Sequence, residues 1–313
     1  MRLFGPSRRK KGWLCINLMP DRVDVAHVSA TGRARPEVLL CDSYRKEADD
    51  VATLARLRRE LKLEAYRCTT LLPSADYQVM QVDAPNVPAE EAKSAVRWRV
   101  KDLIDYPLEA ATVDALSIPA ANGGGARRPQ MFVVAARNER IAAAAKPFND
   151  ADVPLEVIDI PELAQRNLAR CFEQEGRGIA ILAFDRNGGL LTFTSGGELY
   201  QYRRIDVSLE SLAADSAEQR QALFERIVLE LQRSLDHFDR QFRGFAVAKV
   251  LVTPAPGAED MQQYLAAHLD VPVALLELSQ VMDFPHVPEL NEPHRQAQCL
   301  HLIGAAMREE TTV

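Results

Sequence analysis

The chain opens the same way twice, and that constrains its fold more than any other feature. Trp13–Asn17, Val23–Val28 and Glu37–Cys41 read as three short strands joined by polar turns. A helix follows over about Val51–Leu61, with Leu54, Leu57 and Leu61 on one face at helical spacing. From Ile179 the pattern returns: a strand over Ile179–Phe184, Asn187-Gly188 as a hairpin turn, a strand over Leu190–Thr194, Gly196-Gly197 as a second turn, and a strand over Leu199–Arg203. A long helix over about Ala217–Phe242 comes next. Its apolar set (Phe224, Ile227, Val228, Leu231, Leu235, Phe238, Phe242) forms one continuous stripe. A strand at Lys249–Val252, a helix at Asp260–Leu269 and a last helix over about Pro293–Arg308 complete the second half.

Three antiparallel strands followed by a helix, used twice, is the pattern of a duplicated α/β core of the actin-like (ribonuclease H-like), two-lobed kind. The expected organisation is a basic arm over 1–11, lobe one over 12–174, lobe two over 175–290, and a C-terminal helix and tail over 291–313 packing back on the core. A separate α/β subdomain at about 77–158 is inserted in lobe one. It holds strands at Tyr77–Val82, Thr112–Ile118 and Met131–Ala135 and helices at Pro88–Leu103 and Asn138–Phe148. Pro88 suits a first helical position, where its missing N–H costs nothing, and Pro107 helps to stop the helix before it. Ala121–Arg128, with three consecutive glycines, reads as a flexible loop tip.

Apolar residues at 47% and charged residues at 26% describe a folded globular chain of 313 residues. The best candidate apolar runs, Ile179–Phe184 and Phe245–Val252, fall far short of the ~20 residues that span a bilayer. No apolar signal region follows the basic start, so a cytoplasmic location is expected. Cys15, Cys41, Cys68, Cys171 and Cys299 are odd in number and irregularly spaced, which reads as reduced thiols. The net charge is −6, yet the first eleven residues contain Arg2, Arg8, Arg9, Lys10 and Lys11 and no acid. The arm is thus +5 and the remainder −11. Two readings of the arm stand together: attraction to anionic headgroups, at ~1 kcal/mol per basic residue near the surface, and a solubilising start. The acidic remainder argues against nucleic acid.

Val82–Pro119, with Ala95-Val96-Arg97-Trp98 and Ile104-Asp105-Tyr106-Pro107-Leu108-Glu109, resembles the PilM/MshI family of type IV pilus biogenesis proteins. Leu229–Phe238 looks like that family's long lobe-two helix, and Gly304-Ala305-Ala306 fits its last helix. The resemblance follows nearly the whole chain in order and leans toward the MshI branch, which serves mannose-sensitive haemagglutinin pili. It implies a cytoplasmic actin-like protein, peripheral to the inner membrane. Such a protein binds the cytoplasmic tail of a PilN-like bitopic protein that works with a PilO-like one, and homo-oligomers are open to it. The absence of a span separates this sequence from the related GspL type.

The family's ATP-binding members carry Asp-x-Gly-Ser-Ser after the first strand. Ungapped alignment places Asn17 at the Asp, Met19 at the Gly and Pro20 at the first Ser, with Asp24 where Lys is common. Proline has no N–H to offer a phosphate, and an acid repels one. The second phosphate hairpin is ambiguous: shifted by two, it makes Asp185 the acid and Asn187-Gly188 the turn. The adenosine-side glycine turn corresponds to Thr253-Pro254-Ala255-Pro256-Gly257, where one glycine remains beside two prolines. The expectation is a degenerate nucleotide site and no enzymatic turnover, with ATP and Mg²⁺ binding kept as the alternative.

Other constellations carry less. His294, Cys299 and His301 have spacings poorly suited to zinc. No Gly-x-Ser-x-Gly, His-Glu-x-x-His or Walker loop occurs, and no acceptor-site base marks a sugar- or acyl-kinase. Trp98 and Tyr106 are the residues to line a peptide groove, although packing into the core is the more common fate of such side chains. The expected function is a binding scaffold in a pilus assembly platform, against an active actin-like ATP switch.

Overall fold

The computed structural model describes residues 10–29, 35–119, 128–213, 216–242 and 244–309. Strands β1 (Trp13–Leu18), β2 (Arg22–Ser29) and β3 (Glu37–Arg45) form an antiparallel meander. Helix α1 (Asp50–Leu61) is capped by the Asp49 side chain, which accepts from the Ala52 N–H, and it leads to β4 (Arg67–Leu71) parallel to β1. The chain then leaves for the inserted unit: β5 (Tyr77–Asp83), α2 (Ala89–Val100), β6 (Ala111–Ile118) and β7 (Gln130–Arg137). It returns through α3 (Asn138–Asp150) to β8 (Leu155–Asp159), giving a lobe-one sheet of order β3-β2-β1-β4-β8.

Helix α4 (Pro161–Ala169) carries the chain across, and the same sheet is built again. β9 (Gly178–Asp185), β10 (Gly188–Ser195) and β11 (Glu198–Ile205) form the meander, followed by α5 (Leu209–Leu212) and α6 (Ala217–Gln241). Then come β12 (Val247–Val252), α7 (Ala258–His268) and β13 (Val273–Leu275), with order β11-β10-β9-β12-β13. Helix α8 (Pro293–Ala306) ends the regular structure.

Each central strand is apolar on both faces because each sheet is covered on both. Ala180, Leu182 and Phe184 of β9 join α6 and α7 in one core, while Ile179, Ile181 and Ala183 join α4 and α8 in another. Leu14 and Ile16 of β1 pack under α1 and α3, while Cys15 faces α8. The inserted sheet, of order β5-β7-β6, follows the same logic. Met80, Met131, Val133 and Ala135 lie under Val96 and Val100 of α2, whereas Val79, Leu116, Ile118 and Phe132 pack on lobe two. The unbroken apolar run Met131–Ala136 therefore belongs to a sandwiched strand.

Two expected boundaries move. The insert closes at Arg137 rather than near 158, because Phe148, Ala151 and Val153 of the α3 region pack with α1 and β8 completes the lobe-one sheet. The chain is also back on lobe one well before 290. Asp283 N–H donates to Pro36 O and Val38 N–H to Asp283 O, both at 2.9 Å, which covers the edge of β3.

Candidate functional site

The first hairpin turns at Pro20-Asp21, closed by Met19 N–H to Arg22 O at 2.9 Å. Pro20 takes the turn position that proline favours and leaves no amide there for an anion. Asn17 near the end of β1 donates through Nδ2 to the Met19 sulfur, at 3.3 Å. Asp24 does not present bare charge, and the expected repulsion of phosphate is corrected on this point. Its carboxylate, 7% exposed, accepts from Arg22 Nε at 2.9 Å and from Ser43 Oγ at 2.6 Å. The pair is neutral, and Pro20 offers no amide at this hairpin.

The second hairpin also departs from expectation. Asp185 pairs with Gly188, so Arg186-Asn187 form the turn rather than Asn187-Gly188. The Asp185 carboxylate accepts from the Asn187 N–H at 2.6 Å and so closes its own turn. Gly188, at φ +133°, runs so close to Ile205 O that a Cβ would sit 2.8 Å from it. At the third position, Pro254 follows Thr253, whose N–H donates to Leu182 O at 2.9 Å. Gly257 caps α7 at φ +69°, and Arg220 from α6 reaches to within 3.9 Å of where its Cβ would lie.

Between the hairpins, α4 and α8 cross and the lobes are tied together. Gly304 makes the crossing possible, since a Cβ there would lie 2.1 Å from Ala164 O, and Asn167 Nδ2 donates to Gly304 O at 3.0 Å. Gln165 donates through Nε2 to Ile181 O at 2.7 Å and Thr192 Oγ1 at 2.9 Å, while its Oε1 accepts from His301 Nε2 at 3.0 Å. Burial holds His301 below its ordinary imidazole range against the raising fields of Asp185 and Glu162. Arg308 donates to Asp159 at 2.8 Å; burial raises that carboxyl and Arg308 opposes the rise. Glu162, 1% exposed, accepts from Tyr77 Oη at 2.5 Å and from Arg204 at 2.6 Å. One buried carboxylate thus joins the insert, the linking helix and lobe two. Tyr202 Oη adds a bond to Val79 O at 2.7 Å. Apart from Gly304 and His301, which the sequence named in other connections, none of these residues was singled out from sequence. Glu162, Gln165 and Asn167 look like the solvent face of a short helix, and only the crossing buries them.

Trp98 and Tyr106 separate. Trp98 is 69% exposed on the outer side of α2, which overturns the expectation that packing would bury it. Tyr106 is turned inward beside Leu108 and Ala111, with the Arg137 guanidinium 4.2 Å above its ring. Arg8 and Arg9 lie outside the described residues, as does most of the glycine-rich loop tip. Lys10 is held on lobe one, donating to Tyr66 Oη at 2.5 Å, while Lys11 O is hydrogen-bonded to His27 Nε2 at 2.9 Å. A groove of about 830 Å³ opens where the insert and α6 part, lined by Gln81, Asp83, Gln130, His237 and Arg240. Among the described residues, no cluster of three metal-ligating side chains occurs and no helix is long and apolar enough to cross a membrane.

Two like sheets, each with three antiparallel strands extended by two parallel ones, joined by crossing helices, define an actin-like fold. The chain superposes on a chain of the PilM-PilN type IV pilus biogenesis complex with TM-score 0.68 and 19% identity, covering 96% of this chain and 100% of that one. It is also similar to a Bacteroides thetaiotaomicron protein with an actin-like ATPase fold and unknown function, at TM-score 0.51 and 10% identity, covering 99% and 100%. No protein-family model and no curated protein sequence matches the chain.

Proposed function

We propose that this protein is a cytoplasmic scaffold, peripheral to the inner membrane, in the assembly platform of a type IV pilus of the MSHA kind. It holds the cytoplasmic tail of a PilN-like membrane protein, which works with a PilO-like one. The observation that carries this reading is the end-to-end superposition on a chain of the PilM-PilN complex, joined to the sequence resemblance. The altered hairpins support a scaffold without nucleotide turnover. Pro20 removes an amide, Asp185 is spent on its own turn and Arg220 leans over Gly257. Trp98, large, exposed and set between Arg97 and Arg99, belongs to the residue types that anchor protein interfaces.

The test is calorimetric titration of the full chain with a synthetic peptide of the PilN-like protein's cytoplasmic tail, with and without ATP and Mg²⁺. Saturable binding that ATP leaves unchanged is expected, and Trp98→Ala should weaken it. No binding of the tail overturns the scaffold reading. Tail binding that requires ATP replaces it with a nucleotide switch, a reading kept in view by the retained glycines at 188 and 257. ATP at 100 times its dissociation constant would stabilise the fold by about 2.7 kcal/mol, so thermal shift reports its binding independently.

A further inference from the structure

β5 is an outer strand of the inserted sheet, and its register with β7 fixes which of its backbone groups are spent. In an antiparallel ladder the N–H and C=O of alternate residues turn to opposite sides. Ala84 N–H donates inward to Pro129 O at 2.7 Å, whereas Val79 O points away from β7 and accepts from Tyr202 Oη. Met80 and Val82 therefore carry the ladder, and Val79, Gln81 and Asp83 turn their backbone groups to the open edge. Tyr202 occupies that edge at Val79. Among the described residues, no backbone group takes up those of Gln81 and Asp83. An edge left open in this way is a template for another strand.

Gln81 and Asp83 also line the groove of about 830 Å³ between the insert and α6. Gln130 Oε1 joins its two walls, accepting from Gln81 Nε2 at 2.7 Å and from Gln241 Nε2 at 2.9 Å. The odd-numbered side chains of β5 face lobe two, where Val79 packs, while Met80 and Val82 lie on the α2 side. A strand added to the edge keeps that alternation, so every second residue faces α6 and the others continue the apolar side beneath α2. The α6 wall supplies His237 and Arg240. On the insert wall Asp83 is already matched by Arg128, at 3.7 Å. Arg240 gives Nε to Asp236 O and stands 4.0 Å from the Asp236 carboxylate on an exposed face, so its guanidinium can turn to a second carboxylate.

We propose that this groove is a strand-addition site for an extended acidic segment of a partner protein, hydrogen-bonded to the open edge of β5 at Gln81 and Asp83 and paired through a carboxylate with Arg240 of α6. The main chain supplies affinity and the alternation of side chains supplies selection. Residues opposite Gln81 and Asp83 carry Glu or Asp toward α6, where a guanidinium can give a carboxylate two parallel hydrogen bonds. The residues between them are β-branched and lie on the apolar side. Because Tyr202 closes the edge at Val79, the bound stretch is short. The groove walls come from the insert and from lobe two, so an occupant bridges the two. Such a segment is additional to the membrane protein's tail, and its binding is scored without that tail.

The probe is a fluorescein-labelled synthetic peptide, Thr-Glu-Val-Glu-Val-Thr, titrated into the full-length protein at low and high salt and followed by anisotropy. Saturable one-to-one binding that salt weakens is expected. A peptide of the same composition in the order Glu-Glu-Thr-Thr-Val-Val, which lacks the alternation, should bind about tenfold more weakly, and Arg240→Glu should weaken the alternating peptide by a similar factor. Gln81→Pro removes an outward N–H without touching the ladder and should abolish binding, whereas Gln81→Ala keeps the amide and should not. Residue-resolved amide exchange reads the same edge in the wild type. The alternating peptide should slow Gln81 and Asp83 by about tenfold or more and leave Met80 and Val82 nearly unchanged. No binding of the alternating peptide, equal binding of the two orders, or a bound peptide that leaves Gln81 and Asp83 exchange unchanged overturns the proposal. The wild-type exchange decides the question even if Gln81→Pro fails to fold.

Discussion

Gly304 offers a test in which two well-known effects point in opposite directions. It lies inside helix α8, where replacing glycine by alanine ordinarily stabilises by about 1 kcal/mol through backbone entropy. Here a Cβ would stand 2.1 Å from the carbonyl oxygen of Ala164, whereas ordinary contact begins at 3.4 Å, so α4 and α8 must part by roughly 1.3 Å. Overpacking of this kind costs about 1–3 kcal/mol. The displacement also stretches the buried Asn167 Nδ2 to Gly304 O bond, whose loss leaves unsatisfied groups at about 1–3 kcal/mol. Subtracting the helix-propensity gain leaves a net loss of about 1–5 kcal/mol. At about 2 °C per kcal/mol for a chain of 313 residues, Gly304→Ala should lower Tm by roughly 2–10 °C. The assay is thermal unfolding followed by circular dichroism, checked by urea midpoints. The partner is a backbone atom, so Ala164→Gly should not rescue the variant. A Tm equal to or above wild type would refute the close crossing of the two helices.

The Glu162 junction should show the asymmetry of a buried ion pair. Arg204→Ala leaves a carboxylate stranded in the core and should cost about 3–5 kcal/mol. Glu162→Gln should cost less, because Arg204 can still reach water; equal losses in urea denaturation would count against the assigned burial. His27 and His301 both have folded pKa values below the ordinary 6.5, each chiefly through burial. The unfolded chain therefore binds more protons, and stability should fall as pH drops from about 6.5 toward the depressed folded values. His301→Gln should flatten this slope between pH 6.5 and 5, and an unchanged slope would argue against a neutral buried His301. The chain has two tryptophans, Trp13 at 2% exposure and Trp98 at 69%. Iodide should quench one component of the emission, and Trp98→Phe should remove that component while changing stability by no more than ~0.5 kcal/mol.

Some of this was written in local pattern. The repeated strand–turn–strand signal marks β1–β3 and β9–β11, and the apolar stripe of α6 marks its buried face, because period and turn chemistry are properties of neighbouring residues. Pro20 at the first hairpin likewise announces a turn without an amide. Other elements left little trace. β4 and β8 are five residues each, too short for a period, and the run Met131–Ala136 states that β7 is buried without stating against what. The side chains of α4 read as polar surface, yet Glu162, Gln165 and Asn167 are buried and bonded to residues 16 to 137 positions away. Trp98 went the other way: a residue type that usually fills cores was left outside because Val96 and Val100 already cover the inserted sheet. The sequence by itself settled which segments pair locally and which faces shed water. The tertiary structure decided which distant groups meet: Gly304 on Ala164, Glu162 between Tyr77 and Arg204, and Gln165 with His301. Burial is recorded residue by residue, whereas partnership across the chain depends on how two lobes close on two crossing helices.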